Sequence, residues 1–134
     1  MLARSAAAVI AAAVAVSAAQ AADVVADFYR GKQVNLIVGY GPGGGYDIYA
    51  RLLARHLGRF IPGSPVVVVQ NMPGAGSLRA VNYLYNIAPK DGATFAMFAR
   101  NMPLIGVLGG NSNVAFDPRK LTWLGSSSSF VNDA

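Results

Sequence analysis

The residues of this 134-residue chain best placed to do chemistry are glycines. Gly43-Gly44-Gly45 follows a short β-rich run and opens a helical pattern, and Gly74-Ala75-Gly76-Ser77 repeats the arrangement one unit later. Without a Cβ, such residues let backbone N–H groups approach a ligand and adopt positive φ where a turn needs it. A helix N-terminus adds unpaired N–H groups and a partial positive charge. Together these make an anion site, and two of them aimed into one crevice hold a carboxylate without Arg or Lys. The competing reading is that the glycines only make tight βα turns. Tyr40 and Tyr46 flank the first turn as candidate walls. Asp47, in the first helical turn, either offsets the dipole, worth about 0.3–1 kcal/mol, or orders loop waters and accepts a hydrogen bond from a ligand. Arg79 opens the second helix on the ligand side and reads as a solvated cation sooner than as a clamp.

Other site chemistries fare worse. The chain has no Cys and a single His, His56, which excludes thiolate metal sites, a Cys nucleophile and multi-histidine zinc sites. No metal or cofactor is expected. Ser126–Ser129 offers hydroxyls but no base to activate them, and reads as a flexible connector. A Walker A loop is absent. Gly39-Tyr40-Gly41-Pro42-Gly43-Gly44 fits the dinucleotide spacing, but Pro42 interrupts it and the second strand ends in Gln70-Asn71 instead of an acid.

The elements that must position these turns alternate. Val34–Val38 reads as a strand, and Tyr46–Phe60 as a helix with Ile48, Leu52, Leu53, Leu57 and Phe60 on an inward stripe. Arg51, Arg55 and Arg59 form the opposite charged face. Val66–Val69 is a β-branched run of the kind buried on both faces of a parallel sheet. A helix over Ser77–Ile87 turns Leu78, Val81, Leu84 and Tyr85 inward, a strand spans Thr94–Phe98, and a short helix covers Leu104–Leu108. Leu121–Gly125 looks like a fourth strand. Strands alternating with helices imply βαβ units and a mostly parallel sheet, with ligands beyond the strands' carboxyl ends.

The N-terminus reads as an export signal. Arg4 supplies positive charge, Ala6–Val16 the apolar stretch, and Ala19-Gln20-Ala21 the small residues for cleavage after Ala21. Residues 1–21 are thus a signal peptide and 22–134 the exported part. The stretch is Ala-dominated and falls short of the roughly 20 strongly apolar residues a membrane span needs. A formal charge of +5 permits an anionic ligand. The basic residues are scattered, a poor fit to nucleic acid.

These features, taken in order, resemble the periplasmic substrate-binding receptors of tripartite tricarboxylate transporters, the Bug receptors. The resemblance rests on Phe28-Tyr29-Arg30-Gly31-Lys32, the strand Val34–Val38, Pro42-Gly43-Gly44-x-x-Asp47, Asn71-x-Pro73-Gly74-Ala75-Gly76, Ala88-Pro89-x-Asp91-Gly92 and Phe116-Asp117-Pro118. It implies an α/β, periplasmic-binding-protein-like (Venus flytrap) fold with a mostly parallel sheet. It also implies a periplasmic, non-enzymatic receptor, monomeric at full length, that passes a small carboxylate to membrane permease subunits. The ligand-binding residues it carries over are Tyr40, Gly43, Gly44, Gly45, Tyr46 and Asp47 in the first loop, and Pro73, Gly74, Ala75, Gly76 and Ser77 in the second. Where many members have Ser-Thr before the loop Asp, this chain has Gly45-Tyr46; where many have Gly and Asn after the second loop, it has Ser77-Leu78-Arg79. Family members are longer, so the resemblance implies a partial N-terminal lobe, incomplete and without the second lobe. Two rivals remain: an exported Ser hydrolase-like α/β domain using His56, and an interaction module that pairs through Leu121–Gly125.

Overall fold

A computed structural model describes residues 24–108, 110 and 112–126. The signal peptide expected over residues 1–21, the end of the Ser126–Ser129 connector and two positions of the loop after Leu108 lie outside the described residues. A helix described over residues 24–29 (α1) leads into β1 (Gln33–Val38). There follow α2 (Gly45–Leu57), a 3-10 turn at Gly58–Phe60, β2 (Val66–Asn71), a short turn at Ala75–Ser77 and α3 (Leu78–Asn86). The order closes with β3 (Thr94–Met97), α4 (Met102–Leu108) and a 3-10 turn at Pro118–Lys120.

The three strands form one parallel sheet in the order β2-β1-β3, so the fold is α/β with an open sheet, as expected of part of a periplasmic-binding-protein-like lobe. The chain leaves β1 for β2 on one side and crosses from β2 to β3 on the other. Right-handed crossovers then put α2 and α3 on opposite faces. The two cores agree with this. Leu36, Val38 and Ala50 pack with Val67, Val69, Phe95 and Met97 under α2. Leu78, Val81, Ala99, Met102 and Phe116 form a separate cluster around α3 and α4. Tyr40, just past β1, touches both.

Three expectations are corrected. The continuous burial foreseen for Val66–Val69 belongs to β1, the central strand, whose Val34, Leu36, Ile37 and Val38 are buried. The β2 strand is an edge, and Val66 is 67% exposed. The apolar stripe of α2 does not face the sheet: Ile48, Leu52, Leu53 and Phe60 are exposed, while Asp47 and Ala50 are buried. Small Ala50 lets the helix lie close over β1 and β2, and the partners of Asp47 fix its rotation. Leu121–Gly125 is not a strand. The Trp123 indole donates to the Pro118 carbonyl (3.0 Å) and its ring meets Phe98 edge-on, tying this segment to the preceding turn. The inward set of α3 is largely as expected, with Leu78 and Val81 buried.

Close packing at the end of β1 makes a test of this architecture. A Cβ on Gly39 would collide with the fully buried Ser77, through both its side chain and its Cα. Gly39→Ala is therefore expected to destabilise the fold by about 1–3 kcal/mol, as overpacking does in close-packed interiors. A urea unfolding midpoint checks this, and an unchanged midpoint would show that the close approach is not required.

Candidate functional site

In a parallel sheet the carboxyl ends of all strands share one edge, so the loop after β1 and the loop after β2 emerge side by side, starting about 4.8 Å apart. The first loop turns at Gly43, whose φ of +84° suits glycine. It enters α2 through the N-cap Gly44, which has no side chain to cap the helix. The first-turn amides are therefore left for solvent or a ligand. Gly43, Gly44 and Gly45 are exposed, and Tyr40 and Tyr46 stack beside them with ring centroids 4.5 Å apart at 18°.

Asp47 is the organising residue. The residue is only 3% exposed, and both carboxylate oxygens accept hydrogen bonds from the protein. Oδ2 accepts from the Gly43 N–H and from Arg51 Nε, each at 2.9 Å. Oδ1 accepts from Asn71 Nδ2, also at 2.9 Å. That amide donates its second hydrogen to the Tyr40 carbonyl at 2.9 Å, and Asn71 Oδ1 accepts from Arg51 Nη2 at 3.0 Å. One ion pair and one amide thus lock the first loop to the end of β2, where the second loop begins. The Arg51 hydrogen bond, then the Gly43 N–H and Asn71, hold the Asp47 carboxyl well below its ordinary 3.8, against the opposing effect of burial.

The second loop is built from unusual backbone. Gly74 has φ +145°, and Ala75, Gly76 and Ser77 follow at +46°, +60° and +83°, three successive residues in the left-handed region. Pro73, Gly74, Ala75 and Gly76 are exposed at the edge. Ser77 is placed differently: fully buried, its hydroxyl donates to the Gly39 carbonyl (3.3 Å) and accepts the Ala99 N–H (3.2 Å). It pins the second loop to the ends of β1 and β3, with its side chain turned away from the exposed glycines.

The sequence-expected site residues therefore divide. Tyr40, Gly43, Gly44, Gly45, Tyr46, Pro73, Gly74, Ala75 and Gly76 gather at one edge, while Asp47 and Ser77 hold that edge together from beneath. Sequence reasoning gave Arg51 to a charged outer face and overlooked its part in the loop. The signal was its spacing, four residues after Asp47 on one helix. The strand-ending Asn71 was read as a turn residue, yet it donates to both loop 1 and Asp47. His56 is exposed, roughly 16 Å along the α2 axis from the glycine turn.

Two curated relatives match the chain over part of its length. The protein BugT of Bordetella pertussis (strain Tohama I) is 40% identical over 84 residues, covering 63% of this chain and 25% of its own length. The UPF0065 protein in the gbd 5' region of Cupriavidus necator is 38% identical over 82 residues, covering 61% of this chain and 24% of its own. Both support the Bug family, the tripartite tricarboxylate receptors, for the segment they cover. The chain spans about a quarter of the length of these relatives. No family model matches it.

Two outcomes test the lock. Because the folded pKa of Asp47 lies below its unfolded value, the stability it contributes is full above about pH 4 and is lost as pH falls below that toward the depressed folded value. The urea unfolding midpoint is expected to hold constant from pH 7 to about 4 and to fall below, while in the folded protein the near-ultraviolet dichroism of the Tyr40–Tyr46 stack persists well below pH 4, until Asp47 itself is protonated. In Asp47→Asn that dichroism is already altered at pH 7. Separately, Asn71→Ala strips a partner from both Asp47 and the Tyr40 carbonyl. It is expected to cost about 1–3 kcal/mol in urea unfolding.

Proposed function

We propose that this chain carries the ligand-binding loops of a periplasmic solute receptor that captures a small carboxylate for a tripartite tricarboxylate-type membrane transporter, and that it acts by binding and not by catalysis. The observation that carries the reading is the shared edge. An uncapped N-terminus of a 13-residue helix and a left-handed, glycine-bearing turn sit on adjacent parallel strands. Backbone N–H groups there meet an anion with no bound cation required. The similarity to Bug-family proteins, and the export signal read over residues 1–21, point the same way.

In this mechanism the ligand carboxylate accepts hydrogen bonds from the first-turn amides of α2 and from the amides around Gly74–Gly76. Tyr40 and Tyr46 wall one side. Asp47 is the nearest acid, and Arg51 offsets its charge while every bond it accepts comes from the protein, so it orders the loop without facing the ligand. A second lobe closing over this edge would exclude water and strengthen each contact, because hydrogen bonds gain electrostatic strength where the local dielectric falls. Among the described residues no helix is long and apolar enough to cross a membrane.

Gly44 and Gly45 give a clean test. Neither has positive φ, and a Cβ on Gly45 meets nothing within 4 Å, while on Gly44 it meets only the Gly41 carbonyl at 3.9 Å. Gly44→Leu and Gly45→Leu are therefore expected to keep the thermal midpoint close to the parent's and to lower carboxylate affinity at least tenfold by filling the mouth of the turn. Calorimetric titration of the folded variants reads this. Unchanged affinity would remove the first loop from the site.

A further inference from the structure

Beside the second loop an open groove of about 550 Å³ runs along α3. It begins at Met72 and Ala75, which belong to that loop, and continues past Leu78 and Tyr83 to Ile87, which is 71% exposed. Its asparagines hold neighbouring chain. Asn82 donates to the Asn113 carbonyl (2.8 Å) and accepts the Ala115 N–H (3.0 Å). Asn86 donates to the carbonyls of Asn82 (2.9 Å) and Ala115 (2.7 Å). Asn113 is engaged as well. These asparagines clamp the 113–115 segment onto α3.

Arg79 is different. It is the one charged residue lining the groove, and no ion pair or hydrogen bond engages its guanidinium among the described residues. Its stem lies along the second loop, with Cβ and Cδ each 3.3 Å from where a Cβ on Gly74 would stand. One cation at the loop end of a mainly apolar trough matches a ligand with one acidic head and an apolar body.

Resting on the carboxylate reading above, we infer that the ligand is an amphipathic monocarboxylate, its head held at the second loop by Arg79 and its alkyl or aryl body lying in the α3 groove against Met72, Tyr83 and Ile87. A small polycarboxylate would leave its further charges facing apolar wall, where desolvation opposes them. Each added methylene that leaves water favours binding by about 0.8 kcal/mol, close to fourfold in affinity. An open groove realises only part of that.

The test titrates the full chain with butyrate, octanoate and succinate, and adds octanol as an uncharged probe of the groove. Octanoate is expected to bind at least tenfold more tightly than butyrate or succinate. Arg79→Gln is expected to weaken octanoate about tenfold, toward the octanol value. Ile87→Asn, an exposed position whose substitution leaves the core untouched, is expected to shrink the octanoate-to-butyrate ratio, and circular dichroism confirms the fold of each variant. If all three carboxylates bind equally, or the octanoate preference survives both substitutions, the groove assignment is overturned while carboxylate capture stands. If no carboxylate binds, both readings fall together.

Discussion

The site depends on satisfying one buried carboxylate. Asp47 sits beneath the glycine turn with almost no access to water, and a charge so placed must be paired and hydrogen-bonded or it destabilises the fold. Each of its partners is a part of the site. The Gly43 N–H fixes the turn, Asn71 is the last residue of β2, and Arg51 reaches back from the next turn of α2. Meeting the demands of one group therefore sets the conformation of the first loop and its distance from the second. The pairing has an electrostatic consequence too. An isolated acid in the first turn of a helix would cancel the positive end of the dipole at the place where the proposed carboxylate would dock. With Arg51 beside it, Asp47 organises the amides without adding an uncompensated negative charge there.

The second loop is held by complementary shapes. Left-handed backbone costs an ordinary residue roughly 1–2 kcal/mol, and this turn asks it of Ala75 and Ser77 as well as of Gly76. The fold opposes that strain with the buried Ser77 hydroxyl, which bridges the Gly39 carbonyl and the Ala99 N–H and so joins the ends of β1 and β3. Gly39 is the other half of the fit, since only a residue without Cβ leaves room for Ser77. Strain of this kind persists where surrounding structure over-determines it, and such places cluster at ligand clamps. The observed run of positive φ is thus an independent mark on the same edge that carries the uncapped α2 terminus.

How much of this was legible in the sequence follows from what each signal measures. Alternating β-rich and helical segments gave the α/β class, and glycine after the first two strands gave the edge, because both are local properties of the chain. Strand order is not local, so the Val66–Val69 run was read as central when Val34–Val38 holds that place. Periodicity located α2 but misjudged its rotation. The pattern weighs hydrophobicity alone, whereas Asp47 and Ala50 face inward because hydrogen bonds and close approach outweigh the exposed Ile48 and Leu52. Leu121–Gly125 has strand-like composition, yet Trp123 finds its partners in the Pro118 turn and in Phe98. The partners of Ser77, the Gly39 carbonyl and the Ala99 N–H, were hidden for the same reason. A side chain's partners across the fold cannot be inferred from its neighbours in sequence.

An anion site made of backbone amides has a further implication for selectivity. N–H groups at a helix N-terminus recognise negative charge and acceptor geometry, and almost any carboxylate supplies both. The head group is therefore a poor basis for discrimination, and preference must come from what surrounds the loops. Here the surroundings are asymmetric. One side presents the stacked rings of Tyr40 and Tyr46, the other a mainly apolar trough with a single cation. In the proposed site the backbone scaffold, fixed by Asp47 and Ser77, would supply generic hydrogen-bond donors to a carboxylate, and the side chains at its borders would decide which acid stays. Chains that share the glycine turns and differ at positions such as 45, 46 and 79 would then share a mode of capture while parting in ligand, because the turns are constrained by the fold and the borders are not.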